Sequence, residues 1–339
     1  MAKTRVLFVA YYWMRPVGMI GVFKRCLRLM GALPEDYEVF FLNFGEVPKD
    51  DPAYLRVADR VQLIPDPGSA EGLEKLYTRL RLDAIVLGEC PLAGSMRRAY
   101  SVGARSKLRM IAIDNYYGKG LARLTQCGYW HIRKWLFLGL LSRGRGFGRS
   151  IGFEVAPPLI PAPGDCASRQ RDRIVVMGYD RATVEMSFQV LKSLPSGQRV
   201  DFFLPGQSNE VCDGLPMGTL PHEFHFLHAP TDSGLSESLS HARLVLGKAG
   251  FQQVVESILL GSPIVCQMYD GGLRRFMVPS HLKPYVKLVW TRAQLERAMS
   301  QIQGWAAGSP ILPWMGVPKE IPDPVGFAAS RLAAMIEGN

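Results

Sequence analysis

The chain has 339 residues, a length that suggests two domains. Its hydrophobic content of 47% and charged content of 21% are those of a globular protein, and no apolar run reaches the roughly 18 residues of a membrane span. The first residues lack a signal-peptide pattern, so a cytoplasmic location is expected. The net charge of +10 favours an anionic partner.

Strands and helices alternate along the first half, which predicts a parallel sheet covered on both faces. The predicted strands are 4–10, 37–42, 61–64, 83–87 and 108–113, and the predicted helices are 18–30, 72–80 and 96–103. Glu89 and Asp114 each follow a predicted strand. At the carboxyl edge of the sheet, either carboxylate could act as a general base or could cap the next helix.

A basic segment follows, because seven lysines and arginines and no acidic residue lie between Asp114 and Glu154. The spacing of apolar residues predicts a helix over 129–142. That helix could belong to the core, or residues 129–149 could dock on the anionic inner face of a membrane as a peripheral anchor. Nucleic acid ranks lower as a partner, since no nucleic-acid motif is present.

Four prolines between residues 153 and 165 exclude a helix or a central strand, so the interdomain linker is expected there. The alternation then restarts. The predicted strands are 173–177, 200–204, 224–227, 242–246, 264–266 and 286–289, and the predicted helices are 182–194, 233–239, 251–260, 291–302 and 326–336. The pattern predicts two doubly wound α/β domains facing a cleft, over 1–160 and 161–322, with a closing helix over 323–339 that crosses back to the first domain.

Three histidines, His222, His225 and His228, invite a metal-site interpretation. On a strand the middle one would point away from the other two, which argues against that interpretation. No metal and no cofactor are therefore expected.

The most informative stretch is 240–270, which predicts a strand, a glycine turn, a helix and a second parallel strand. A glycine turn that opens a helix offers free N–H groups and the positive end of the helix dipole, which suit phosphate. Glu256 lies about one and a half turns into this helix, within reach of a ribose placed above it.

This stretch resembles the donor-binding segment of GT-B glycosyltransferases, in the group of the peptidoglycan N-acetylglucosaminyltransferase and monogalactosyldiacylglycerol synthase. The resemblance rests on Gly247-Lys248-Ala249-Gly250, on Glu256, and on the Gly261-Ser262-Pro263 entry to the next strand. In that group a hydroxyl residue opens the turn, where this chain has Gly247. The resemblance implies transfer of a sugar from a UDP-linked donor to a hydroxyl acceptor, with inversion and without a metal.

The resemblance also implies a role for each matching residue. Glu256 would bind the ribose hydroxyls, and Gln267 and Asp270 would be candidates for the donor sugar, although the group's D-Q-x-x-N form is absent. The residues implied along the nucleotide and its diphosphate are Gly178, Lys248, Ala249, Gly250, Phe251 and Gln252, with Arg274 and Arg275 as further candidates for the diphosphate.

The first domain departs from the group, which has a G-G-T-x-G-H loop after its first strand. Residues 11–18 of this chain contain no histidine, so a catalytic base is not carried over from the group. Glu89 and Asp114 are the candidates for that role. Two other functions stay open. One is a nucleotide-sugar hydrolase or epimerase, which would turn over the donor alone, and the other is a non-catalytic binding protein that retains the fold.

Overall fold

The computed structural model describes residues 3–11, 20–45, 47, 49, 52–89, 94–115, 129–139, 153–159, 170–178, 180–204, 210–228, 232–248, 250–268, 284–307 and 323–338. These residues divide into two units. The first unit contains the described residues up to 159 together with 323–338, and the second unit contains 170–307.

In its described residues the first unit has one sheet of seven parallel strands. The strands are β1 (Thr4–Tyr11), β2 (Tyr37–Phe44), β3 (Val61–Ile64), β4 (Ala84–Leu87), β5 (Arg109–Asn115), β6 (Ile132–Leu138) and β7 (Phe153–Ala156). Their order is β3-β2-β1-β4-β5-β6-β7. The helices between them are α1 (Ile20–Ala32), α2 (Pro52–Leu55), α3 (Ala70–Leu80) and α4 (Gly94–Arg105).

The described part of the second unit has six parallel strands in the order β10-β9-β8-β11-β12-β13. The strands are β8 (Arg173–Met177), β9 (Arg199–Leu204), β10 (Glu223–His228), β11 (Ala242–Lys248), β12 (Ile264–Gln267) and β13 (Val286–Val289). The helices are α5 (Arg181–Lys192), α6 (Asp232–Ser240), α7 (Phe251–Leu259) and α8 (Arg292–Ala306), and α9 (Pro324–Glu337) belongs to the first unit.

The central strands are buried on both faces, which explains their almost uninterrupted apolar sequences. In β1, Val6 and Phe8 pack in the cluster that contains α1, while Leu7 and Val9 pack in the cluster that contains α3 and α4. This burial fixes the register of the sheet and so determines which residues reach its carboxyl edge.

Short polar side chains start several helices, as N-caps that satisfy free N–H groups. Asp180 accepts a hydrogen bond from the Thr183 N–H at the start of α5. Asp323 caps α9, whose first residue is Pro324, a favoured residue at that position.

The last helix, α9, packs on α1 and completes the core of the first unit. The hydroxyl of Tyr37 donates to Glu337 Oε1 at 2.9 Å, and the Arg109 guanidinium donates to the carbonyl of Ile336. The predicted return of the C-terminal helix to the first unit is therefore confirmed.

The predicted helix over 129–142 is wrong, because residues 132–138 form β6. Trp135 and Phe137 are buried in the sheet core, with their rings stacked at 5.5 Å. An apolar run that is buried on both faces of a sheet has no alternation to distinguish it from a helix. Residues 140–149 lie outside the described part of the chain.

The predicted linker also begins too early, because Phe153–Ala156 form β7, at the edge of the sheet. Pro157 and Pro158 follow this strand directly. The prolines therefore end the strand without entering it.

No helix among the described residues is long and apolar enough to cross a membrane.

In both sheets the strand order reverses once, between β1 and β4 in the first unit and between β8 and β11 in the second. Open α/β sheets bind ligands at such a switch point, outside the carboxyl ends of the strands. The predicted fold class, two doubly wound α/β units in series, is confirmed.

Candidate functional site

The switch point of the second unit is built from the ends of β8 and β11, which pair in parallel with Val176 opposite Leu246. Gly178 follows β8. A Cβ atom at this position would lie 2.4 Å from the ring of Phe202 and 3.2 Å from Val184. Only glycine lets the strand end pass this close to β9 and α5.

Lys248 is the last residue of β11, so the strand continues through the first two residues of the turn predicted over 247–250. Its side chain is only 6% exposed. Burial lowers the pKa of the Lys248 ammonium, and the nearby Asp180 carboxylate acts in the opposite direction. A largely desolvated cation at the end of a strand is a strong attractor for an anionic ligand.

The helix after β11 starts without a side-chain cap, because its N-cap residue is Gly250. The first N–H groups of α7 therefore lack the kind of cap that Asp180 gives to α5. Together with the helix dipole and Lys248, they make this edge of the second unit electropositive.

Two further residues lie at or near this edge. Gln267 ends β12 directly opposite Lys248 in register, and its side-chain amide donates to the Met268 carbonyl at 2.9 Å. Gln253, which was not predicted, has its side-chain oxygen 3.4 Å from where a Cβ of Gly250 would lie, and this buried oxygen has no hydrogen-bond partner among the described residues. A helix glutamine beside a glycine turn gives no local sequence signal for this contact.

The remaining predicted nucleotide residues are described to different extents. Glu256 lies in α7 and is 8% exposed. Ala249, Asp270, Arg274 and Arg275 lie outside the described residues, as do the side chains of Phe251 and Gln252.

The switch point of the first unit carries acidic groups instead. Val9 of β1 lies opposite Leu87 of β4, so Tyr11 and Glu89 occupy matching positions two residues further along. The Tyr11 hydroxyl donates to Glu89 Oε1 at 2.6 Å. This distance is typical of an O–H donor on an ionised carboxylate.

Arg25 of α1 ties the ends of β4 and β5 together. Its guanidinium donates to the Gly88 carbonyl at 2.7 Å and to Asn115 Oδ1 at 2.9 Å. The helix reaches the strand because position 88 is glycine, where a Cβ would lie 2.6 Å from Cys26 Sγ. The sequence does not reveal Tyr11 and Arg25 as site residues, because their partners are distant along the chain.

Burial raises the pKa of Glu89 to about 6, with the Asp114 carboxylate adding to the rise and Tyr11 and Arg25 opposing it. Burial also raises the pKa of Tyr11, with Glu89 contributing, so the phenol keeps its proton. Asp114 is partly buried at the end of β5, where Oδ1 accepts from the Asn115 N–H at 2.7 Å. A carboxylate with a pKa near neutrality is a better proton acceptor than an ordinary one.

His222 and His225 do not lie in a group that could hold a metal ion, and the side chain of His228 lies outside the described residues. His222 precedes β10 and its Nε2 contacts the Leu191 carbonyl, while His225 pairs with Glu223. Among the described residues no group of three or more histidine, cysteine, aspartate or glutamate side chains could hold a metal ion.

Solved structures with the same architecture are similar to this chain over its full length, whereas neither a protein-family model nor a curated protein matches its sequence. MurG of Acinetobacter baumannii is 12% identical with a TM-score of 0.58, over 99% of this chain and 100% of that one. A UDP-glucosyltransferase from Polygonum tinctorium that glucosylates indoxyl is 12% identical with a TM-score of 0.60, over 99% of each chain. A putative UDP-N-acetylglucosamine 2-epimerase from Listeria monocytogenes is 12% identical with a TM-score of 0.60, over 100% of this chain and 96% of that one.

At 12% identity these likenesses establish the fold and leave the reaction open. The described residues form one seven-stranded and one six-stranded parallel sheet, each with one switch point, which agrees with that fold. The chain has the two-domain GT-B fold of glycosyltransferases.

Proposed function

We propose that the chain is a glycosyltransferase that moves a sugar from a nucleotide-sugar donor, UDP-linked, to a hydroxyl acceptor, with inversion and without a metal. The observation that carries the proposal is the electropositive edge of the second unit, where the buried Lys248 lies two residues before Gly250, the N-cap of α7, which has no side chain to cap the helix. Helix N–H groups and a lysine are suited to hold a diphosphate and to stabilise its charge as it leaves.

The second unit would bind the donor. Gly178 and Gly250 let the diphosphate approach the backbone, Gln267 lies in register beside Lys248, and Glu256 on α7 accepts hydrogen bonds from the ribose hydroxyls. Ala249, Phe251, Gln252, Asp270, Arg274 and Arg275 keep the roles that the resemblance implies. The first unit would supply the base, from Glu89 or Asp114.

The test is titration calorimetry with UDP and with 2′,3′-dideoxy-UDP on the wild type, Glu256→Gln and Glu256→Ala. Loss of a charge-assisted hydrogen bond of about 1.5–3 kcal/mol should weaken UDP binding by roughly 10- to 100-fold. The dideoxy analogue should bind wild type and variants alike. Glu237→Ala, on an exposed face of α6, is the matched control. Equal affinity of UDP for the wild type and both Glu256 variants would remove Glu256 from the site.

A second candidate function is epimerisation or hydrolysis of a nucleotide sugar, favoured by the similarity to the UDP-N-acetylglucosamine 2-epimerase. Such an enzyme turns over UDP-N-acetylglucosamine supplied alone, at its full rate. A transferase shows at most a slow release of UDP until an acceptor is added. Product analysis by NMR distinguishes a C2 epimer from free sugar.

The acceptor side is proposed to lie at an anionic membrane surface, near residues 129–149. The helix predicted there is wrong, but Trp130 is 83% exposed and the exposed Arg133 follows it. An indole and a guanidinium suit the headgroup region. Co-sedimentation should occur with vesicles containing phosphatidylglycerol and not with pure phosphatidylcholine. Trp130→Ala should reduce it, whereas Trp290→Ala in the second unit should not.

A further inference from the structure

The acidic edge of the first unit holds a pair of groups in an arrangement that neither the fold nor the resemblance assigns. Tyr11 is the last residue of β1 and Glu89 lies two residues beyond β4, so both continue the register in which Val9 lies opposite Leu87. Because side chains at matching positions of neighbouring strands project on the same face, the phenol and the carboxylate meet at 2.6 Å.

The pair is held from two sides. Arg25 of α1 binds the carbonyl of Gly88, the residue directly before Glu89, and also binds Asn115 at the end of β5. Arg25 is itself only 6% exposed. The backbone that carries Glu89 is therefore fixed by a buried guanidinium, and the Glu89 side chain is fixed by a phenol.

The hydrogen bond from Tyr11 occupies one of the two carboxylate oxygens. Within the described residues Glu89 Oε2 receives no hydrogen bond. Three groups shift the titration of Glu89: Tyr11 on β1, Arg25 on α1 and Asp114 on β5. The Cys26 thiol of α1 also lies near Glu89. Burial keeps the Cys26 thiol protonated by raising its pKa to about 12, so it adds no charge near neutral pH.

We propose that Tyr11 is a positioning residue that holds Glu89 Oε1, and that Glu89 Oε2 is the atom that takes the proton from the attacking hydroxyl. This inference rests on the proposed function, and it selects Glu89 over Asp114. In the step, the acceptor O–H gives its proton to Glu89 Oε2 while the acceptor oxygen forms a bond to the sugar C1. The bond from C1 to the diphosphate oxygen breaks, and its electron pair leaves with the nucleoside diphosphate.

Asp114 then acts through Glu89 as a neighbouring negative charge. The two neighbours have opposite effects: the Tyr11 hydroxyl stabilises the ionised form of Glu89, and Asp114 destabilises it. Tyr11→Phe and Asp114→Asn should therefore shift the titration of Glu89 in opposite directions. If either residue had only a structural role, its substitution would not shift the pKa of Glu89 in the direction stated.

The experiment measures the titration of Glu89 by NMR in protein labelled with ¹³C at the glutamate carboxyl, using Glu89→Gln to identify the signal. Tyr11→Phe should raise the pKa of Glu89, and Asp114→Asn should lower it. Tyr37→Phe is the matched control, because it removes a tyrosine-to-glutamate hydrogen bond of 2.9 Å elsewhere in the same unit. It should leave Glu89 unchanged. An unchanged Glu89 titration in Tyr11→Phe overturns the inference.

The kinetic arm follows release of UDP from UDP-glucose and UDP-N-acetylglucosamine, with water as acceptor. Tyr11→Phe should lower kcat about tenfold or more with KM within about twofold, and should move the acid limb of the pH–rate profile to higher pH. An unchanged kcat and acid limb also overturn the inference. If UDP fails to bind the wild type, the proposed function fails, and the NMR titration still decides whether Tyr11 controls Glu89.

Discussion

The two switch points share one backbone plan and carry opposite chemistry. In each sheet the strand order reverses beside the first strand, and a glycine ends a strand there, Gly88 after β4 and Gly178 after β8. The first unit places Glu89 and Asp114 at this edge, while the second places Lys248 beside an uncapped helix start. The repeated topology places a switch point at the same position in each sheet, and the side chains at the strand ends give the two switch points different charges.

The largest expected effect is on the rate of sugar transfer, and it comes from a change at the acidic edge of the first unit. Glu89→Gln should lower the rate of sugar transfer by roughly 10²- to 10⁴-fold, because it removes a general base. The affinity for UDP, measured by calorimetry, should not change, since Glu89 belongs to the other unit. Glu74→Gln, exposed on α3, is the control. Wild-type activity of the Glu89→Gln protein would contradict the proposal that the first unit supplies the base while the second unit binds the nucleotide.

A change at the basic edge of the second unit should affect the affinity for UDP. Lys248→Met should weaken UDP binding by roughly 10- to 100-fold, because a charge-assisted contact to phosphate is worth about 1.5–3 kcal/mol. Uridine, which has no phosphate, should bind both proteins equally. Lys192→Met, at the exposed end of α5, should bind UDP like the wild type. Equal loss of uridine and UDP binding would indicate damage to the fold rather than to an anion site.

Much of this comparison could be predicted from the sequence. The strands that lead to Glu89 and Asp114 were predicted from apolar runs followed by polar turns, and so was the parallel unit from β11 to β12. These signals are local, because a buried strand and the turn after it are neighbours in the chain.

What the sequence could not predict depends on contacts between distant segments. Tyr11 meets Glu89 across 78 positions, and Arg25 meets Asn115 across 90. Their pairing follows from strand register, which is known only once the sheet is assembled. The wrong helix over 129–142 has a related cause, since burial of β6 on both faces removed the alternation that identifies a strand.

The free energy of unfolding tests whether Gly178 and Gly88 are needed for the same reason, a close approach of neighbouring elements to the strand end. Gly178→Ala should destabilise the protein by about 1–3 kcal/mol, because the new Cβ would lie 2.4 Å from the Phe202 ring. Gly88→Ala should also destabilise the protein, because its Cβ would lie 2.6 Å from Cys26 Sγ, 2.9 Å from Val22 Cγ1 and 3.2 Å from the Val9 carbonyl oxygen. Urea unfolding measures both. Gly218→Ala should be neutral, because nothing lies within 4 Å of its Cβ position.

The smallest effect is a pH dependence confined to the acidic edge. The pKa of Glu89 is about 6 in the folded protein against an ordinary 4.5, so the folded state binds this proton more tightly and loses stability as Glu89 ionises. Glu89→Gln should therefore raise the free energy of unfolding relative to wild type by about 1–2 kcal/mol above pH 6. The gain should vanish below pH 4.5. Unfolding at about pH 4 and about pH 8 checks this, and a constant difference would contradict it.

The position of α9 gives the first unit a discontinuous sequence. Its sheet and α1–α4 are encoded before residue 160, but α9, which packs on α1, is encoded after the second unit. During synthesis the ribosome therefore completes the second unit while Leu332, Met335 and Ile336, which are buried in the first core, are not yet made. Without α9, the apolar face of the first unit that α9 covers is exposed, and a purified chain that ends at residue 307 should show greater protease resistance in the second unit than in the first.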